Sequence, residues 1–274
     1  MGIFDGYLLC TDLDGTLLKD DKSISNENIN AIEYFKAEGG MFTFVTGRMP
    51  FAVTDIYNTV RPNAPIGCVN GGGLFDFDKN EYIHRNIMPE MVNVLLEFVD
   101  RELPNIGIQI NAFNKVYFSK DNASMVQFRA VTGLPNIVCH YLDIDEPVAK
   151  IVFSADSEGD IIELETALKS HPRASEFDFI RSEESLYEIL PKGTDKSVAL
   201  EKLCEYLEID INNSIAMGDY NNDVGMLKTA GRGIAVKNAC AAAINVADEI
   251  TVSNEEDAVA RVIYDLEKSI KKSL

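Results

Sequence analysis

Apolar and polar positions along this 274-residue chain follow two periods. Short, mostly apolar runs, typical of strands buried on both faces, occupy residues 7–11, 41–45, 66–69, 214–217, 234–236 and 250–252. Helical spacing fills the gaps. Ser25 or Asn26 can cap a helix running to about Glu38, where Gly39-Gly40 ends it. Pro50 suits the first turn of another helix. A third runs from about Lys196 to Glu208, with Ala199, Leu203, Tyr206 and Leu207 on one face, and a short one from about Asp223 to Ala230. Strands alternating with helices predict a parallel, doubly wound, Rossmann-like α/β sheet. Ligands of such sheets bind beyond the carboxyl ends of the strands. Asp12, Thr46 and Asp219 each fall just after an expected strand.

The middle of the chain reads differently. A helix near residues 89–102 precedes two runs, 107–110 and 116–118, that suggest a hairpin around Asn111-Ala112-Phe113-Asn114. Then come a helix near 121–131, a strand at 148–154, a helix near 158–170, and strands near 177–180 and 186–190. This pattern predicts a separate α+β domain, residues 86–190, inserted into a core made of residues 1–85 and 191–274. Pro191-Lys192-Gly193 would be one hinge and residues 83–88 the other.

Composition narrows the classes. With 46% hydrophobic and 25% charged residues, the chain can bury an ordinary globular core. Its formal net charge of -19 repels nucleic acid and anionic membranes, so neither is expected as a partner. The five cysteines are dispersed without a Cys-x-x-Cys pair, and no apolar run is long enough to span a membrane. The expected location is the cytoplasm.

The strongest chemical signal is Asp12-Leu13-Asp14-Gly15-Thr16, at the mouth of the first strand. Two carboxylates so placed raise each other's pKa unless a cation lies near, and a divalent metal with oxygen ligands would relieve that. One aspartate could then attack an electrophile while the other moves protons.

Together with Thr46-Gly47-Arg48, Lys196 and Gly218-Asp219-Tyr220-Asn221-Asn222-Asp223, this motif resembles the haloacid dehalogenase superfamily. The similarity is strongest to its Cof-like branch of sugar-phosphate phosphatases, and extends to Met226, residues 235–239, Ala247-Asp248 and Thr251. The resemblance implies an α/β cap between the second and third motifs. It implies Asp12 as nucleophile through an aspartyl-phosphate, and Asp14 as the acid that protonates the leaving group and then activates water. Thr46 would donate its hydroxyl to the phosphoryl group, with the Gly47 amide at a helix N-terminus beside it. Arg48 would reach substrate or pair with a carboxylate in the cap. Lys196 opposes the helix dipole in a first turn, so another need must hold it there: neutralising phosphate and keeping Asp12 ionised. Asp219 would complete an Mg²⁺ site with Asp12 and the Asp14 carbonyl, and Asp223 would support that site from behind. Asn222 would hydrogen-bond phosphate, or cap the following helix. The implied activity is Mg²⁺-dependent hydrolysis of a small phosphorylated metabolite, a sugar phosphate. A phosphomutase using the same nucleophile is the alternative, and a non-catalytic sugar-phosphate binding module a third reading.

Overall fold

A computed structural model describes residues 2–273. The chain divides into two compact units, Met1–Arg85 with Asp195–Leu274, and Asn86–Thr194.

The first unit begins with β1 (Leu8–Thr11), α1 (Asn26–Ala37), β2 (Met41–Phe44), α2 (Thr54–Val60), β3 (Ile66–Cys68), β4 (Gly73–Asp76) and β5 (Glu81–Arg85). The second unit holds α3 (Val92–Glu102), β6 (Gly107–Ala112), β7 (Val116–Lys120), α4 (Ala123–Thr132), β8 (Val148–Ser154), α5 (Glu158–Ser170), β9 (Phe177–Glu183) and β10 (Leu186–Pro191). The first unit then resumes with α6 (Lys196–Leu207), β11 (Ser214–Gly218), α7 (Val224–Thr229), β12 (Arg232–Ala235), α8 (Ala241–Ile244), β13 (Glu249–Ile250) and α9 (Ala258–Ser273).

In the first unit, five parallel strands lie in the order β13-β12-β11-β1-β2. The chain leaves β1 toward β2 and later returns to β11 on the opposite side, so the topological switch lies between β1 and β11. That boundary is where an open α/β sheet offers a crevice beyond its carboxyl ends. Residues Leu8, Cys10 and Ala216 pack with Ala199, Leu200, Leu203, Met226 and Leu227 of α6 and α7 in one apolar cluster. The Ser25 hydroxyl accepts from the Asn28 amide and caps α1, as its position before the helix implies.

One expectation is corrected here. Residues 66–69 do not extend the parallel sheet. Ile66–Cys68 form β3, which pairs antiparallel with β4 in a separate three-stranded sheet and meets the main sheet through an isolated Val45–Gly67 bridge. Gly73, directly after Gly71 and Gly72, opens β4.

The second unit is a five-stranded antiparallel sheet in the order β7-β6-β8-β10-β9. Alternation sorts its residues by face. Ile108, Ile110, Ile151, Phe153, Tyr187 and Ile189 join an apolar cluster with Leu95, Leu96 and Val99 of α3 and Ile161, Leu164 and Leu168 of α5. No helix among the described residues is long and apolar enough to cross a membrane.

Candidate active site

Asp12 follows β1 directly, and its amide donates to the Met217 carbonyl of β11 across the switch point. Gly15 then turns the chain at φ +78°. A Cβ at this position would lie 2.5 Å from Asp219 Oδ2, so both backbone and space demand glycine. Thr16 donates its hydroxyl to Asp219 Oδ1 at 2.9 Å, tying the loop after β1 to the loop after β11. Asn238 donates to the Gly15 carbonyl at 2.8 Å and braces the same loop from behind β12.

Lys196 is wholly buried at the start of α6, with Asp195 as its N-cap. Its ammonium lies 2.7 Å from Asp12 Oδ1 and 2.6 Å from Asp223 Oδ1. The other Asp223 oxygen accepts from the Asp219 and Tyr220 amides at 3.0 and 2.9 Å. Asp223 therefore has both oxygens committed to the protein, which suits a supporting role. Burial works against the charge on Lys196, but Asp12 and Asp223 hold its pKa above the ordinary lysine value.

One carboxylate oxygen from each of Asp12, Asp219 and Asp223 lies within 4.8 Å of the others. Burial, resisted by Lys196 and aided by Asp223 and Asp219, pushes Asp12 up to about 7. Burial, with repulsion from Asp223, pushes Asp219 up to about 6. With Asp223 held by Lys196 and two backbone amides, Asp12 and Asp219 remain as neighbouring hard oxygen donors with surplus negative charge, and such donors fit a divalent cation such as Mg²⁺.

Asp14 points elsewhere. Its Oδ1 accepts from Arg48 Nη2 at 2.6 Å and from Lys22 Nζ at 2.8 Å, and its Oδ2 from Arg48 Nε at 2.8 Å. Partial burial would raise its pKa, but the Arg48 fork and the Lys22 ammonium override that and keep it below the usual carboxylate value. This corrects one of the two expectations for Arg48: the carboxylate it pairs with belongs to its own unit and not to the cap.

Thr46 and Gly47 follow β2, the neighbour of β1, and Thr46 is buried. A second correction concerns the helix beyond them. It opens only at Pro50, as a 3₁₀ turn with Met49 in the N-cap position, so the Gly47 amide lies upstream of the helix terminus. The Thr46 hydroxyl accepts from the Arg48 amide at 3.2 Å and shapes the turn.

Asn222 neither caps α7 nor stands free: its amide donates to Asn70 Oδ1 at 3.0 Å. Asn70 itself was overlooked in the sequence. It and Val69 adopt φ of +53° and +55°. A left-handed valine is an outlier that the surroundings must enforce. The Asn70 amide donates to the Thr46 carbonyl, and its side chain sits where any Cβ on Gly47 would have to go, 2.8 Å away. Asn70 thus braces the second motif and the fourth together. The only hint in the sequence was an asparagine ahead of glycines, tolerant of the left-handed region.

A family model described as haloacid dehalogenase-like hydrolase matches residues 9–263. The 5-amino-6-(5-phospho-D-ribitylamino)uracil phosphatase YitU of Bacillus subtilis is 29% identical over 263 residues, covering 94% of this chain and 96% of that protein. An HMP-PP phosphatase of Yersinia pseudotuberculosis is 29% identical over 237 residues, covering 85% and 84%. The crystal structure of a haloacid dehalogenase-like hydrolase from Bacteroides thetaiotaomicron superposes with a TM-score of 0.83 at 28% identity, covering 95% of this chain and 99% of that one. The family match spans nearly the whole chain and the fold agrees with it, so the chain belongs to the haloacid dehalogenase-like hydrolases, among their phosphatases of the Cof type.

Proposed function

We propose that this phosphatase is an Mg²⁺-dependent phosphomonoesterase that hydrolyses a small sugar-phosphate-like metabolite through an aspartyl-phosphate. The observation that carries the reading is the buried Lys196 held between Asp12 and Asp223, beside Asp219, at the β1/β11 switch point. Relatives named for a phosphoribitylamino-uracil and for HMP-PP support a small phosphorylated substrate.

In this reading an Asp12 carboxylate oxygen attacks phosphorus in line. The bond from phosphorus to the departing oxygen breaks, and Asp14 delivers a proton to that oxygen. Asp14 then takes a proton from the water that attacks the acyl phosphate, which frees phosphate and restores Asp12. Lys196, the Thr46 hydroxyl, the Gly47 amide and the Asn222 amide hold the phosphoryl oxygens, so that positioning and charge do most of the catalysis. Asp12, Asp219 and the Asp14 carbonyl would hold Mg²⁺, which supplies charge neutralisation there. Asp14 can act as an acid only when Arg48 and Lys22 release it, and the arriving phosphate dianion is the group that competes for those cations. The second unit serves as the family's inserted cap, and the five free cysteines support a reducing compartment, the cytoplasm.

The test is phosphate release from a panel of sugar phosphates, nucleotides, flavin mononucleotide and pyridoxal phosphate, with Mg²⁺ and with chelator. Asp12→Asn should lower kcat on the order of a thousandfold or more while the circular dichroism spectrum stays the same. Turnover preserved in Asp12→Asn overturns the mechanism. Appearance of an isomeric sugar phosphate in place of free phosphate marks a mutase.

A further inference from the structure

Beside α3, the apolar packing of the second unit opens into a pocket of about 250 Å³. Met88, Val92, Leu96, Ile110, Val148 and Ile151 line it, and all of them belong to the unit's apolar cluster or pack against it. A cavity of about 150 Å³ is enough to hold a benzene ring, so there is room here for a ring and a short tail. Every lining residue lies between Ile87 and Ile151, within the one unit.

The charged part of the lining has one sign. Glu90, Asp145 and Glu146 line the pocket, and no lysine, arginine or histidine does. Glu146 is already engaged, by Lys115 at 2.9 Å and by the Tyr117 hydroxyl. Glu90 and Asp145 are exposed and have no ion pair among the described residues. Tyr141 also lines the pocket and is more than nine-tenths buried, and its hydroxyl has no hydrogen-bond partner among the described residues. Burial, with repulsion from Asp100 and Glu97, raises its pKa and keeps the phenol neutral. Its oxygen can accept from an N–H donor, and its ring can face a cation.

A bare metal ion does not suit this place. Among the described residues, the acidic groups close enough to share an ion are those of Asp12, Asp219 and Asp223, and none of them lines this pocket. An inorganic cation would also leave the apolar floor uncovered. The complement is a cation that carries its own apolar body. We infer that the pocket binds a small apolar primary amine, with its body against Val92, Leu96, Ile110 and Ile151 and its ammonium toward Tyr141, Glu90 and Asp145. A primary ammonium supplies the N–H donors that a phenol oxygen and carboxylates accept, which a quaternary one lacks. The wall includes the stretch from Ile87 to Val92 that enters α3 from the Asn86 boundary, so an occupant braces the start of this unit.

Isothermal titration of the full chain at low salt compares phenethylamine with 2-phenylethanol, which lacks the charge, and with ethylamine, which lacks the ring. Phenethylamine should bind with a Kd on the order of 1 mM or tighter, and the other two at least tenfold more weakly. Glu90→Gln combined with Asp145→Asn alters exposed side chains only, so that variant should fold as wild type does and bind phenethylamine at least fivefold more weakly. Tyr141→Phe keeps the ring and should weaken binding at least twofold. Equal affinity for phenethylamine and 2-phenylethanol overturns the inference, because the carboxylates then select nothing. Binding that neither change weakens overturns it too, since the amine then sits elsewhere on this acidic chain. So does the absence of any binding heat with phenethylamine. A dimer in sedimentation that dissociates in the Glu90→Gln, Asp145→Asn variant gives the pocket to a second copy, and likewise overturns it.

Discussion

Asp12 and Asp219 start from the same chemistry as any surface aspartate and end near 7 and 6, because burial and mutual repulsion outweigh one ammonium. Their pKa values are raised on folding. The folded state therefore binds more protons than the unfolded chain between about pH 4 and the raised values, so this stability contribution is full below about pH 4 and lost as pH rises through 6 to 7. In the presence of chelator the melting temperature should fall over that window. Mg²⁺ gains its ligands as the carboxylates ionise, so the rise in melting temperature on adding Mg²⁺ should be larger at pH 8 than at pH 5.5. Thermal scans with and without metal check this, and equal shifts at both pH values would remove the cation from these carboxylates. Asn70 makes a second case at this scale. Asn70→Ala and Asn222→Ala should each lower kcat/KM, and a double-mutant cycle should show a coupling on the order of 1 kcal/mol through their shared hydrogen bond. Additive losses would mean that Asn70 does not position Asn222.

At the scale of the element, the site is made by loops that leave adjacent parallel strands. Much of this was readable. Asp12, Thr46 and Asp219 follow apolar runs, and parallel strands put such endings on one side of a sheet. Lys196 stood out because a cation opposes the dipole at a helix start, and its burial between two carboxylates supplies the reason. The β3–β5 sheet was not readable, because the three glycines before Leu74 masked the start of β4, and apolar runs do not say which neighbour a strand will choose. The Arg48–Asp14 pairing was missed for a related reason: a side chain that long has many partners within reach of one sequence position. Gly15 tests how closely the β1 and β11 loops must approach. Gly15→Ala should cost about 1–3 kcal/mol by forcing a methyl group into a left-handed turn, and should displace Asp219 as well. Chemical denaturation gives the first quantity, and a raised Mg²⁺ requirement in the activity assay gives the second. Normal Mg²⁺ dependence in that variant would show that the loop has slack.

The whole molecule is a discontinuous unit interrupted by a continuous one. Asn86–Thr194 has its own sheet and its own apolar cluster, and its two ends meet where the Asn86 side-chain amide donates to the Thr194 hydroxyl at 2.8 Å. Expressed alone, residues 86–194 should give a cooperative melt and dispersed amide resonances, whereas residues 1–85 alone should stay unfolded, since β1 would lack β11. A cooperative fold in the shorter piece would contradict the role given to that pairing.

The β1–β11 pairing also bears on how the protein is made. Leu8 meets Ser214 on one side and Met41 on the other, so one of its two neighbours comes from far along the chain. During translation β1 leaves the ribosome long before β11 exists, while every strand of the inserted unit emerges in one stretch and can pair at once. The nascent chain thus carries Asp12 and Asp14 exposed and unassembled until the segment around Asp219 appears. A ribosome that stops before β11 therefore releases a folded middle behind an inert beginning, and phosphatase chemistry waits for a strand made long after the first one.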